Sequence, residues 1–397
     1  MRQANTNRVF PAASIAVTHA GKLIALKAFG KFAYEEDLKK GAPRMSDSER
    51  QGGDFDFLNA PVTPATLFDL ASLTKPIATT TMAMLLYERG LLELDAPIVG
   101  TTPEFRVDSN GNPDARRRDV TFRMLLAHSS GLPAYEQLFL KADSREDLLS
   151  KAFSMPLTAD PGTRAEYSDI GFIILGIALE RLAEERLDSF CQREIFGPLA
   201  MTNTIFNPSP ELRSKIPPTA DEREDVSGAD ITAHEVRESD LSRSESHPTP
   251  RSTFRSRIIQ GEVQDENASV LGGVAGHAGL FATVEDVARF AHAMLHGGTP
   301  IIRPETISLF TQRDLTPGSS RALGWDTPLH PSQSGKYFGP NSYGHLGYTG
   351  TSLWIDPDRE LSITLLTNRT WPDCSNQAIK QLRPQFHDAV IEALDKL

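Results

Sequence analysis

Ser72 and Lys75 stand three residues apart in the stretch Phe68-Asp69-Leu70-Ala71-Ser72-Leu73-Thr74-Lys75-Pro76. On a helix that spacing puts both side chains on one face, so the amine reaches the hydroxyl. A serine hydroxyl is a poor nucleophile until a base takes its proton. A lysine buried at the positive end of a helix is disfavoured as an ammonium and can act as that base or as a relay. The plainer reading is structural, since serine at a helix start commonly serves as its N-cap.

The elements that must hold this pair follow from the flanking residues. Ile77, Ala78, Met82, Met84, Leu85 and Leu86 predict an apolar helix from Ile77 to Leu86 that stops at Gly90. Pro76 is tolerated only if that helix has barely begun, which sets Ser72 at or beside its N-terminus. Ser14 to Gly30 reads as a β-hairpin turning at Ala20-Gly21-Lys22, and Thr351 to Thr367 as a second hairpin. Between them helix signals dominate: Asp95-Ala96-Pro97 starts one element, Thr121–Ala127 and Arg145–Phe153 follow, then Ile170–Leu182 and Asp188–Phe196. Thr283 with Asp286 opens a helix from Val284 to Leu295, and Gln377–Leu397 forms a closing amphipathic helix. Strands at both chain ends are most economically joined in one antiparallel sheet, with the helical stretch inserted as a lobe and a site between the two.

Composition bounds the function. The chain has 397 residues, 39% of them hydrophobic, enough for a large core. A formal net charge of -11 argues against a general nucleic-acid or anionic-membrane binder, and Arg116-Arg117-Arg118 reads as a solvated loop beside Asp114 and Asp119. Cys191 and Cys374 form neither a metal set nor a disulfide framework. No run reaches the roughly eighteen apolar residues of a membrane span. The N-terminal stretch is read as a strand rather than a signal peptide, leaving the compartment open. Tyr34–Asn59 is expected as an exposed loop, and 225–255 as a disordered polar insertion. No cofactor and no metal are implied; Asp265-Glu266-Asn267 reads as a solvated loop.

Three motifs fall in order along the chain: Ser72-Leu73-Thr74-Lys75, Tyr167-Ser168-Asp169, and His345-Leu346-Gly347-Tyr348-Thr349-Gly350. With LLAHSSGLP from Leu125, GVAGHAGLFAT from Gly273 and GHLGYTGTSLWIDP from Gly344, the chain resembles the class C β-lactamase and DD-peptidase-like serine hydrolases, peptidase family S12, from about Phe10 to Ile391. The resemblance implies an α+β, β-lactamase/transpeptidase-like fold, a central antiparallel sheet flanked by helices with an inserted mainly helical lobe. It makes one two-lobed unit of 1–397, with 1–90 and 270–397 in one lobe and 91–210 in the other. It also implies an acylated Ser72 partnered by Lys75, and Tyr167 as base or proton shuttle. The N–H groups of Ser72 and Tyr348 would form the oxyanion hole. His345, Leu346 and Gly347 would lie on the sheet edge, with Gly347 admitting substrate to the backbone and His345 assisting proton transfer or binding a carboxylate. A register using Tyr348-Thr349-Gly350 as the triplet ranks second.

Two departures bear on substrate. Asp169 stands where the family has asparagine, exchanging an amide for an acceptor-only carboxylate near Lys75. Leu346 stands where it has threonine, removing a hydroxyl that β-lactamases and DD-peptidases use near the substrate carboxylate. Both changes weaken the β-lactam and peptidoglycan readings and leave acyl transfer intact. His277, in the Gly-rich loop, is read first as a loop cap and second as part of the cleft. The expected function is hydrolysis of ester or amide acyl substrates, small molecules or peptides, of esterase or D-Ala-D-Ala-peptidase type. The alternatives are a true β-lactamase and a non-catalytic binding or sensor module, with oligomeric state left open.

Overall fold

The computed structural model describes residues 1–35, 56–108, 110–223, 254–329 and 331–396. In chain order the strands are β1 (Ala12–His19), β2 (Lys22–Gly30), β3 (Phe68–Asp69), β4 (Ile205–Phe206), β5 (Ala220–Asp221), β6 (Ile258–Ile259), β7 (Leu280–Ala282), β8 (Tyr343–Leu346), β9 (Ser352–Asp356) and β10 (Leu361–Thr367). Both expected hairpins form, and they join in one five-stranded antiparallel sheet ordered β2-β1-β10-β9-β8. Ala20 and Gly21 both take positive φ, +47° and +73°, the backbone that a tight two-residue hairpin turn requires.

The two-residue period of β1 explains why the chain ends meet. Ala13, Ile15 and Val17 pack with residues of the closing helix Ile379–Leu394, while Ala12 and Ala16 point into the main core. Both faces are buried, so pairing register is strongly specified. The outermost strand on the far side is β8; its outer edge pairs with Asp326 at Gly344, and His345 and Leu346 beyond that line the cleft.

A second, three-stranded sheet, ordered β3-β7-β4, positions the chemistry. Its pairs Phe68↔Ala282 and Asp69↔Phe281 set the segment before Ser72 beside the Gly-rich loop that precedes β7. The helix Asp169–Ala183 is buried over most of its length, as its apolar circumference demands. A Cβ on Gly176 would come within 2.9 Å of the Gly276 Cα, so the close packing there rests on that glycine.

Several local expectations are corrected. The helix after Ser72 is α-helical only over Thr81–Glu88; Lys75–Thr80 is a π-helical turn with Pro76 in its first turn. The helix read over Asp188–Phe196 likewise changes from α-helical Leu187–Cys191 to π-helical Gln192–Phe196. Residues 36–55 of the expected loop lie outside the described residues, and its end is no exposed coil, since Asp56–Asn59 forms a turn that buries Leu58. Arg117 is buried, donating to the carbonyls of Phe105 (3.2 Å), Phe153 (2.9 Å) and Ser154 (3.3 Å), so the arginine run is only in part solvated. Most of 225–255 lies outside the described residues. Its last residue, Arg255, is fixed by a buried ion pair with Glu222 at 2.5 Å, next to the β5–β6 ribbon.

Candidate active site

Ser72 sits in a single 3₁₀ turn, Ala71–Leu73, between β3 and the π-helical turn. The residue before it, Ala71, takes a φ of +48°, a left-handed conformation costly for a residue with a Cβ. Asp69 holds it there: its Oδ1 accepts from Ala71 N at 2.8 Å and its Oδ2 from Gln264 N at 2.6 Å. Burial pushes the Asp69 carboxyl up to about 6 in spite of these two bonds. The result is a serine that stays partly exposed while Ala71 and every residue from Leu73 to Thr80 are buried.

Lys75 is fully buried, and each of its three N–H bonds has an acceptor: Ser72 Oγ at 2.9 Å, Asp169 Oδ1 at 2.6 Å and the His277 carbonyl at 3.1 Å. This corrects the expectation of a neutral amine. Burial alone would lower its pKa, but the Asp169 carboxylate, with Tyr167 adding to it, raises it above the ordinary lysine value. Asp169, the first residue of the helix capped by Ser168, is therefore the ion partner of Lys75, and its departure from asparagine has a local consequence.

Tyr167 lies one residue before that cap. Its ring centroid is 4.8 Å from Lys75 Nζ, and its phenol faces both Lys75 and Ser72. Burial raises its pKa, and the Lys75 ammonium only partly opposes this, so the resting group is a phenol. His128, inside the quoted LLAHSSGLP stretch yet assigned no role from sequence, locks this geometry. Its Nδ1 accepts from Ser168 N at 3.0 Å and its ring lies 4.6 Å from that of Tyr167. Because Nδ1 accepts, the proton is on Nε2, and burial keeps the imidazole neutral.

On the opposite side β8 presents His345 and Leu346, followed by Gly347 and Tyr348, and all four line a cleft of about 420 Å³ with Ser72, Tyr167 and Asp169. Thr349 and Gly350 do not line it: Thr349 is buried with Oγ1 on the Asp69 carbonyl at 2.8 Å, so the first register describes the cleft. Packing alone requires Gly347 to be small, since a Cβ there would sit 2.0 Å from Thr351 Oγ1 and 2.5 Å from the Leu70 carbonyl. His345 also differs from expectation. Burial, then Lys75 and Arg321, push its pKa far down, and its Nδ1 lies 2.7 Å from the Leu346 carbonyl. A carbonyl only accepts, so the proton is on Nδ1 and the inward Nε2 is a lone pair, unsuited to a carboxylate.

The cation that can meet an anion is one the sequence reading passed over. Arg321, its side chain 7% exposed, lines the cleft with its guanidinium 4.9 Å from the centroid of Tyr167. Among the described residues that guanidinium makes no hydrogen bond. Its closest carboxylate, Asp326 Oδ1, is 4.0 Å away and already accepts from Ser320 Oγ at 2.6 Å and Thr327 N at 3.1 Å. Asp265 and Glu266 also line the cleft, correcting their reading as a solvated loop. Asp265 Oδ1 contacts His277 Nε2 at 2.8 Å, so His277 belongs to the cleft while its carbonyl anchors Lys75; Asn267 is buried, accepting from Phe139 N at 2.9 Å. No described group of three His, Cys, Asp or Glu could hold a metal ion. No helix among the described residues is long and apolar enough to cross a membrane.

Comparisons with known proteins give the family and the fold. The family model described as Beta-lactamase matches residues 1–383. An N-acetylmuramyl-L-alanine amidase of Bacillus subtilis (strain 168) is 30% identical over 383 residues, covering 91% of this chain and 77% of its own. A protein of Escherichia coli (strain K12), provisionally named D-alanyl-D-alanine carboxypeptidase, is 31% identical over 322 residues, 77% and 70% of the two chains. In fold the chain is similar to EstCE1, a hydrolase with promiscuous acyltransferase activity, with a TM-score of 0.66 at 20% identity over 96% of this chain and 95% of that one. The motif order, the α+β architecture and the family match over residues 1–383 agree: the chain belongs to the beta-lactamase family, in the superfamily of serine β-lactamases and penicillin-binding proteins.

Proposed function

We propose that the protein hydrolyses ester or amide acyl compounds through an acyl-enzyme on Ser72. The observation that carries this reading is Lys75, whose Nζ bridges Ser72 Oγ and Asp169 Oδ1 at the cleft floor. Lys75 passes a proton to Asp169 as it takes the one on Ser72 Oγ, so a lysine charged at rest still serves as the base. The Ser72 Oγ–carbon bond forms, and the oxyanion is received by the N–H groups of Ser72 and Tyr348. Tyr167, a phenol at rest, donates its proton to the leaving group as that bond breaks; Lys75 then reprotonates it and recovers its own proton from Asp169. Water repeats the cycle in reverse to release the acid.

Arg321 supports a narrower substrate class, acyl compounds that carry a carboxylate, because a guanidinium that lines the cleft without a hydrogen-bonded acceptor favours an anion. That favours a carboxypeptidase-type activity over hydrolysis of neutral esters. The names of the Bacillus subtilis and Escherichia coli relatives point the same way, both denoting cleavage of an amide. The test is a panel: a D-Ala-D-Ala peptide, the same peptide with its C-terminus amidated, nitrocefin, and p-nitrophenyl acetate, each with wild type and Ser72→Ala. Turnover lost in Ser72→Ala, with the free-acid peptide preferred over its amide, is expected. Undiminished turnover in Ser72→Ala would refute the nucleophile. No turnover and no labelling of Ser72 by a fluorophosphonate in folded protein would favour a binding module.

A further inference from the structure

The buried stripe of the closing helix Ile379–Leu394 runs Ile379, Arg383, His387, Ile391. Arginine is an unexpected member of such a stripe, at 1% exposure. Among the described residues its guanidinium meets the turn between β8 and β9. Nη2 donates to the Gly347 carbonyl at 2.7 Å and the Thr351 carbonyl at 3.1 Å, and Nε donates to the Gly350 carbonyl at 3.3 Å. From the other side the nucleophile segment holds the same turn, through Thr349 Oγ1 on the Asp69 carbonyl and Thr351 Oγ1 on the Leu70 carbonyl at 3.0 Å.

Peptide geometry turns this clamp into a functional statement. In a planar trans peptide the C=O of one residue and the N–H of the next point in opposite directions. The Gly347 carbonyl points at Arg383, so the N–H of Tyr348 points the other way, toward the cleft that Gly347 and Tyr348 line. A cation on the carbonyl end also polarises the amide and strengthens its N–H as a donor. We infer that Arg383 is a positioning residue for the oxyanion hole, fixing and polarising the Gly347–Tyr348 peptide from behind. The planar fork of arginine suits this task because it spans several carbonyls at once, which the compact ammonium of lysine does not. The inference rests on the acyl-enzyme reading above.

The experiment compares wild type, Arg383→Lys and Arg383→Met as full chains, with p-nitrophenyl acetate as substrate. Phenylboronic acid serves as the probe whose tetrahedral adduct on Ser72 places an oxygen in the oxyanion hole. Arg383→Met is expected to lower kcat and weaken boronate inhibition by about 10-fold each, since a donor is weakened rather than removed. KM stays within about twofold, and Arg383→Lys falls between the two. Thermal unfolding followed by circular dichroism reports folding; if Arg383→Met is insoluble, Arg383→Lys decides. Folded variants that keep wild-type kcat and boronate affinity, or that lose substrate and boronate binding equally, overturn the inference alone. A wild type that binds no boronate, or Ser72→Ala with undiminished turnover, overturns the acyl-enzyme reading and the inference with it.

Discussion

At the floor of the cleft Lys75 directs all three of its N–H bonds to fixed acceptors, and the Asp69 carboxylate holds a backbone N–H on each oxygen. On the wall Arg321 makes no hydrogen bond from its guanidinium among the described residues, and the Glu266 carboxylate joins no ion pair there. Lys75 and Asp69 are buried, whereas Glu266 is half-buried and Arg321 lines the cleft. Lys75 and Asp69 are thus paired before substrate arrives, and on the proposed mechanism the proton traffic at Lys75 is the same for any acyl compound and gains from preorganisation. A carboxylate that reaches the Arg321 guanidinium would gain a charge-assisted hydrogen bond there. On the function proposed above, reaction class belongs to the floor and substrate choice to the wall.

The sharpest break of this comparison is at the floor. Lys75→Ala and Tyr167→Phe should each lower kcat by roughly 10² to 10⁴, the range for positioned acid–base groups. The double variant should lose far less than the product, because the two move one proton in sequence. Multiplicative losses measured in a double-mutant cycle would dissolve the unit. The same unit sets a pH expectation. Tyr167 must be protonated to act as acid, and its pKa lies above the ordinary value of 10.0, as that of Lys75 lies above 10.5. Activity should persist through pH 9 and fall only as pH rises past those ordinary values; a fall centred near pH 8 in kcat would contradict it.

The wall should respond differently. Arg321→Gln removes the charge but keeps a donor, and should raise KM for a free-acid peptide by about 10- to 100-fold, the worth of a charge-assisted hydrogen bond. For neutral p-nitrophenyl acetate KM should move by less than about threefold. Equal effects on both substrates would mean that Arg321 supports Tyr167, over whose ring it lies, rather than an anion.

The same division explains what could be read from sequence. Ser72, Lys75, Tyr167, Asp169 and His345 were legible because floor chemistry requires fixed residue types in short motifs, and the two hairpins because period-2 patterns with tight turns are local signals. Arg321, Glu266 and Arg383 carry no local signature. Arg321 reaches Tyr167 across 154 positions of chain, and Arg383 looks from sequence like one more charge on an amphipathic helix. Even at the floor, protonation is not legible from local sequence, because the state of Lys75 depends on Asp169, 94 residues away, and not on its place in a helix. The tautomer of His345 likewise follows from the Leu346 carbonyl, which only the backbone conformation brings within reach.

The smallest effect tests whether the wall is held at a cost. Burial, and next the charge of Asp265, raise the Glu266 carboxyl from 4.5 to about 7. A carboxyl whose folded-state pKa is raised binds its proton more tightly in the folded chain. Its contribution to stability is therefore fully present below the unfolded value of 4.5 and is lost as pH rises through about 7. Glu266→Gln keeps the shape of the neutral acid and removes the titration. At pH 4 the variant should match wild type in urea unfolding; at pH 8 it should be more stable by on the order of 2 kcal/mol. A weaker pH slope should survive in the variant, since Asp69, raised to about 6, loses its own contribution in the same direction. An unchanged stability difference at pH 4 and pH 8 would mean that Glu266 is as well solvated in the folded protein as in the unfolded chain, and the contrast between floor and wall would then rest on Arg321 alone.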